Sequence, residues 1–253
     1  MLQLDQCGRC LSDYVLPSTL ARSSNSMPAL TTLSLSGACR LSDDGLSKLI
    51  SSAPALRSLN ISQCSLLTST SIDTLADSLG SVLRELYLTD CQSIDAMLIL
   101  PALKKFEQLQ VLSLAGIQNV SDDCLREVMT ARGHNMKELV LTDCVYVSFT
   151  HFYSKFPCLS LIPLEMNILS FGFLEYVYVT FAPLILLGVP ILCRKLTDSS
   201  LKVIAETCPG LCAIDLVNLS KLTDFALGYL ANGCHSIQTL KLCRNAFRFL
   251  PFF

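Results

Sequence analysis

Charge, histidine and catalytic signatures are what this chain has least of. Only 16% of its 253 residues are Asp, Glu, Lys or Arg, where about a quarter is usual. The net charge of −2 leaves no basic excess, so direct nucleic-acid binding is not expected. The histidines are only three, His134, His151 and His235, and none has a nucleophile or carboxylate at a motif spacing. GxGxxG, the GxxxxGK[ST] phosphate loop and GxSxG are all missing. Catalysis needs convergent reactive groups, so no enzyme is expected, and no catalytic residue or cofactor is assigned. The opening MLQLDQCGRCLSDYV has neither a basic n-region nor an apolar h-region, so no signal peptide is expected there. A nuclear or cytoplasmic location is expected.

Cysteine, by contrast, is plentiful, at 13 residues. Without secretion a disulfide framework is not expected, and the thiols read as small buried apolar groups. Cys7 and Cys10 form a CxxC, but no second CxxC or nearby histidine pair completes a zinc site. No metal is assigned. The mean hydropathy of +0.49 is high for a soluble chain, so some segment is inflating it.

A ruler laid along the chain finds L-x-x-L-x-L-x-x-C. It reads LRSLNISQC from Leu56, LRELYLTDC from Leu83 and MKELVLTDC from Met136. Variants begin at Leu30, Leu109, Leu211 and Ile237, and LQLDQC at Leu2 is the tail of an earlier copy. Starts at 30, 56, 83, 109 and 136 are 26 or 27 apart, as are 211 and 237. Between copies runs [LVI]-[ST]-D and then an amphipathic stretch, as in LSDDGLSKLISSAP and LTDSSLKVIAETCPG. Ser or Thr before Asp suits a helix start; Asp43–Asp44 and Asp122–Asp123 are read as helix-opening charges. One short strand and one helix per 26-residue unit is the leucine-rich-repeat plan. The predicted fold is an α/β right-handed horseshoe with parallel strands on the concave face and helices on the convex face. Stacking should put Leu59, Leu86, Leu112 and Leu139 in register, with Leu35, Ile61, Leu88, Leu114 and Leu141 beside them. Cys7, Cys39, Cys64, Cys91 and Cys144 should pack inside the bend after each strand.

The ruler fails once. From Met136 to Leu211 is 75 residues, 49 too many. Residues 145–193 carry 10 of the 19 Phe and Tyr but only three charges, Lys155, Glu165 and Glu175, and four prolines. Removing 49 residues after Cys144 or Val145 restores LTDC-x-KLTD. Phe, Leu, Ile, Val and Met, whose codons share a central U, fill 25 of these places. Val145-Tyr146-Val147 can be encoded around GTATGT, a splice-donor-like string, so the segment reads as a retained intron. A functional loop is the alternative. The uncharged run Tyr176–Cys193 reaches the minimum length for a membrane span, but two prolines and its place between a strand and a helix of one repeat argue against it. A membrane-anchored repeat protein rests on that run alone. The expected organisation is repeats over 1–144, an irregular apolar insert over 145–194, and repeats over 195–253 with a truncated C-terminus.

The strand-turn signature ending in Cys and followed by [LI]-[ST]-D resembles the cysteine-containing leucine-rich repeats of F-box proteins. LDQCGRCLSDYVLPSTL, LRELYLTDC, AMLILPALKK and KLTDSSLKVIAETCPGLCAIDL are similar to plant relatives of the yeast radiation-sensitivity (RAD-seven) nucleotide-excision-repair protein. The resemblance covers residues 1–144 and 195–247. It implies a substrate-recognition adaptor of an SCF or cullin-type ubiquitin ligase, with cullin-ligase components as partners, or a UV-damage repair factor acting by protein contacts. Within this sequence no F-box is read ahead of the repeats, and whether one belongs N-terminal to it is left open.

Binding, not chemistry, is therefore expected, with a protein partner on the concave face. Residues between the strand leucines should face outward by the period of two. They are Arg57, Asn60, Gln63, Arg84, Glu85, Tyr87, Asp90, Lys137, Glu138, Asp143, Asp215 and Lys241. Tyr87, flanked by Arg84 and Glu85, is the best anchor, since interfaces favour Tyr and Arg.

Overall fold

Each repeat offers a strand too short to stand alone and a helix with one apolar face. Neither can be buried except against its neighbours. The computed structural model describes residues 1–5, 27–146, 193–194, 196–243 and 245, and in it the repeats pair in sequence order. The strands are β1 (Leu2–Gln3), β2 (Thr32–Ser34), β3 (Ser58–Asn60), β4 (Glu85–Tyr87), β5 (Val111–Ser113), β6 (Glu138–Val140), β9 (Ala213–Asp215) and β10 (Thr239–Lys241). They form one parallel sheet in the order β1-β2-β3-β4-β5-β6-β9-β10. Val145–Tyr146 (β7) and Cys193–Arg194 (β8) form a separate two-stranded sheet. Six α-helices are described: α1 (Asp43–Ser52), α2 (Ser69–Leu79), α3 (Ala96–Leu103), α4 (Asp122–Arg132), α5 (Asp198–Thr207) and α6 (Asp224–Gly233). One helix follows each of β2 to β6 and β9, which makes the fold an α/β leucine-rich-repeat solenoid.

The register is the one the ruler demands. Leu33, Leu59, Leu86, Leu112, Leu139, Ile214 and Leu240 are partners across successive strands. Leu35, Ile61, Leu88, Leu114, Leu141 and Leu216 form a second column, all fully buried. Each such side chain contributes roughly 1.5–3 kcal/mol, and each is sheltered by the repeat on either side.

Helix starts follow the short polar residue before each run. Thr68, Asp95, Ser121, Thr197 and Thr223 are N-caps whose side chains accept from a backbone N–H of the first turn, as such residues do. The Asp after the cap does more than open its own helix. Asp43 accepts from the Thr68 N–H and hydroxyl at 2.9 and 2.5 Å, and Asp198 does the same with Thr223 at 2.8 and 2.6 Å. These carboxylates bind the cap of the next repeat, so reading them as helix-opening charges was incomplete.

The bends after β3, β4 and β6 are filled as expected, and the one after β2 brings a correction. Cys64, Cys91 and Cys144 are buried, and their thiols donate to the carbonyls of Leu35, Ile61 and Leu114 in the preceding repeat. Cys39 is not among them. Ala38 takes the equivalent place, fully buried, and Cys39 lies one residue on and exposed, because the third residue after Leu35, as Cys64 is after Ile61, is Ala38. In the last repeat Asn245 does the same work. Its amide donates to the Leu216 carbonyl at 2.9 Å and accepts from the Leu219 N–H at 2.8 Å.

The chain divides into two compact units, Met1–Val145 with Arg194–Phe253, and Tyr146–Cys193. Within the first, β6 pairs directly with β9, although 75 residues separate Leu139 from its partner Ile214. Cys7, Cys10, His151, the donor-like Val147 and the body of the apolar run Tyr176–Cys193 lie outside the described residues. No helix among the described residues is long and apolar enough to cross a membrane.

Candidate interaction surface

Strand alternation places the first and third residues of each three-residue strand opposite the core. Two rows therefore cross the sheet. One is Thr32, Ser58, Glu85, Val111, Glu138, Ala213 and Thr239; the other is Ser34, Asn60, Tyr87, Ser113, Val140, Asp215 and Lys241. Most are half-buried by their neighbours on the pleat.

Of the residues singled out from sequence, Glu85, Glu138, Asn60, Tyr87, Asp215 and Lys241 stand in these rows. Arg57, Arg84 and Lys137 are exposed but sit one residue before their strands, on the rim. Gln63, Asp90 and Asp143 lie beyond the strands, in the turn, so the period of two does not apply to them. They share that turn position with Gly37, Gly116 and Asn218, and all six have left-handed backbones with φ between 55° and 77°. The N–H of each donates to a carbonyl of the following repeat, for example Gln63 to Thr89 at 2.8 Å and Asp143 to Val217 at 3.2 Å. Left-handed φ suits Gly, Asn and Asp, which explains why these types recur there.

The face has two centres. Asp215 accepts from the Thr142 hydroxyl at 2.6 Å and the Val217 N–H at 3.2 Å, and pairs with Lys241 at 3.4 Å. A shallow depression there is lined by Glu138, Val140, Ala213, Asp215, Thr239 and Lys241. The other centre is on β4 to β6. Glu85 accepts from the Ser58 hydroxyl at 2.6 Å, and Ser113 shares a 2.8 Å hydrogen bond with Thr89. The side chains of Tyr87 and Glu138 have no hydrogen-bond or ion-pair partner among the described residues. Burial first, then the carboxylates of Glu85 and Glu138, push the Tyr87 phenol above its ordinary pKa. The register sets Glu85 two residues before Tyr87 on β4 and Glu138 two strands away on β6.

The valines and small residues of these rows, Val111, Val140, Ser58, Ser113, Ala213 and Thr239, were missed from sequence. The offset from the central leucine finds them; attention to polar and charged types alone does not. His134 and His235 are exposed in connecting turns. No group of three or more His, Cys, Asp or Glu among the described residues could hold a metal. Buried thiols are held protonated: burial raises Cys64 to about 12 and Cys91, Cys124 and Cys208 to about 11.

No protein-family model and no curated protein matches the chain. Among solved structures, a chain of the yeast Rad7–Elc1 complex is similar at 16% identity and a TM-score of 0.46, over 95% of this chain and 62% of that one. A chain of the TLR13–ssRNA13 complex is similar at 15% identity and a TM-score of 0.27, over 88% of this chain and 34% of that one. This chain therefore spans less than two thirds of either.

Proposed function

We propose that this chain is a non-enzymatic protein-interaction scaffold whose outward sheet face holds a protein partner. The observation that carries the reading is the contrast between the sheet's two sides. One side is wholly committed to the leucine columns. The other presents a continuous band across seven strands, with the side chains of Tyr87 and Glu138 left without hydrogen-bond or ion-pair partners among the described residues at its middle. A half-buried tyrosine in a mixed polar and aliphatic setting is what interface anchors look like.

Within that reading, the resemblance to F-box leucine-rich-repeat proteins supports a substrate-recognition role in a cullin-type ubiquitin ligase. A pull-down of the full-length spliced gene product with purified cullin and its F-box-binding adaptor tests it; absence of co-purification rejects the ligase role. The phrases shared with RAD-seven relatives favour a second reading, a UV-damage repair factor working through protein contacts alone. Ultraviolet sensitivity on deletion, with no ligase component co-purifying, selects that reading.

A further inference from the structure

We infer that the centre of the sheet face, on β4 to β6, receives a lysine or arginine side chain of the partner protein, seated over Val111 between Glu85 and Glu138. The inference deepens the interaction-scaffold reading and rests on it.

The register places Glu85, Val111 and Glu138 side by side on three consecutive strands. Neighbouring strands are about 4.8 Å apart, so the two carboxylate-bearing positions stand about 10 Å from one another with the valine between. In the row above, Tyr87, Ser113 and Val140 are aligned in the same way. The floor is thus aliphatic, one wall is an aromatic ring, and the two ends are acidic. A long side chain with an apolar stem and a cationic head fits that arrangement: the stem covers Val111 and the head meets carboxylate. The face of Tyr87 adds cation–π attraction.

Among the described residues no cation of the protein pairs with either carboxylate, although Lys241 lines a shallow depression together with Glu138. Asp215 is matched by Lys241, but Glu138 is unpaired, and Glu85 is held only by a serine hydroxyl. Arg57, Arg84 and Lys137 are on the rim and form no ion pair among the described residues. Their charge has the opposite effect, because it repels a partner that is basic throughout. The complementary segment carries one basic residue for the centre and acidic or neutral residues toward the rim. Such opposed rows of charge set register and orientation of a bound segment more than they set its affinity.

The test is an array of synthetic peptides of random sequence probed with the labelled full chain and with variants whose changes lie outside the core. Retained peptides should share one Lys or Arg at a fixed position. Glu138→Gln and Glu85→Gln should each lower retention of those peptides about fivefold to tenfold, and Tyr87→Ala should lower it further. If Tyr87→Ala abolishes retention but no basic position is shared and both Gln variants bind as the parent does, the basic side chain is wrong and the interaction face stands. If no peptide is retained, or Tyr87→Ala changes nothing, the interaction face fails and this inference with it. Retention of lysine-rich peptides that survives both Gln substitutions also overturns it.

Discussion

The Asp122 carboxylate holds Thr197, 75 residues further on, as Asp43 holds Thr68 at a separation of 25. The Thr197 N–H donates at 2.8 Å and its hydroxyl at 2.5 Å, and the Ser200 hydroxyl donates to the same carboxylate. The solenoid thus treats the segment beyond the interruption as its next repeat. Around this contact β6 pairs with β9, Asn218 donates to Asp143, and the Cys208 thiol lies 3.6 Å from the Met129 sulfur.

Asp122→Ala removes three acceptor contacts at once and leaves the buried Ser200 hydroxyl without its acceptor among the described residues. Hydrogen bonds to a charged group are each worth about 1.5–3 kcal/mol, less where water has access, so a net loss of about 2–3 kcal/mol is expected in urea denaturation. Asp123→Ala is the control. Its side chain is exposed and only 3.8 Å from Arg126, and its loss should cost less than about 0.5 kcal/mol. Equal effects of the two substitutions would contradict the cross-repeat role of Asp122.

Deleting residues 145–193 should preserve the fold and strengthen it. The deletion leaves Cys144-Arg194-Lys195-Leu196, the same spacing as Cys64-Ser65-Leu66-Leu67. Reducing the connection from about 50 residues to two or three removes about four doublings of loop length, roughly 2.5 kcal/mol of closure entropy. Circular dichroism and the denaturation midpoint measure both consequences. Collapse of the deletion variant would mean that the segment contributes to the solenoid itself. Sequencing of mature transcripts across codons 144 to 195 tests the separate reading of that segment as a retained intron, which predicts messages lacking it.

The repeat plan was legible because burial is periodic. A leucine that recurs every 26 or 27 residues at the same offset has one physical solution, and the register of Leu59, Leu86, Leu112 and Leu139 follows from it. The role of Asp43, Asp122 and Asp198 was half legible. An Asp after a Ser or Thr cap makes sense within one helix, and nothing local points to the Thr a full repeat away. Cys39 was misplaced by one residue because the letter was followed and not the count from Leu35, which leads to Ala38. On the face, polar residues drew attention and Val111 and Val140 did not, since an outward valine in a half-buried row has no sequence signature of its own.

Alkaline conditions should destabilise the protein through its cysteines. Burial raises Cys64 from 9.0 to about 12 and Cys91, Cys124 and Cys208 to about 11, so the folded state keeps protons that the unfolded chain releases. The contribution is intact below pH 9 and declines as pH rises from there toward 11 and 12. Urea midpoints measured at pH 8 and pH 10 should differ, and Cys64→Ala should reduce the difference. At pH 8 a thiol reagent should label Cys39 and Cys243, which are exposed, well before Cys64, Cys91 or Cys144. Rapid labelling of the buried set in the native state would contradict their placement.

Gly116→Ala should be costly where Gly210→Ala is not. Gly116 has φ of +67°, and a Cβ there would come within 2.3 Å of the Asp90 carboxylate oxygen, whereas a Cβ on Gly210 meets nothing within 4 Å. The left-handed backbone alone costs a non-glycine residue about 1 kcal/mol, and displacement of Asp90 adds to it, so a loss of about 1–2 kcal/mol is expected. The two causes separate in the double variant Asp90→Ala with Gly116→Ala. Removing the carboxylate relieves the clash but not the backbone strain. Gly116→Ala should therefore cost less in the Asp90→Ala background than in the parent, yet remain unfavourable. Additive losses would mean that Asp90 and position 116 do not touch, and with that the alignment of left-handed turns on neighbouring repeats would be wrong.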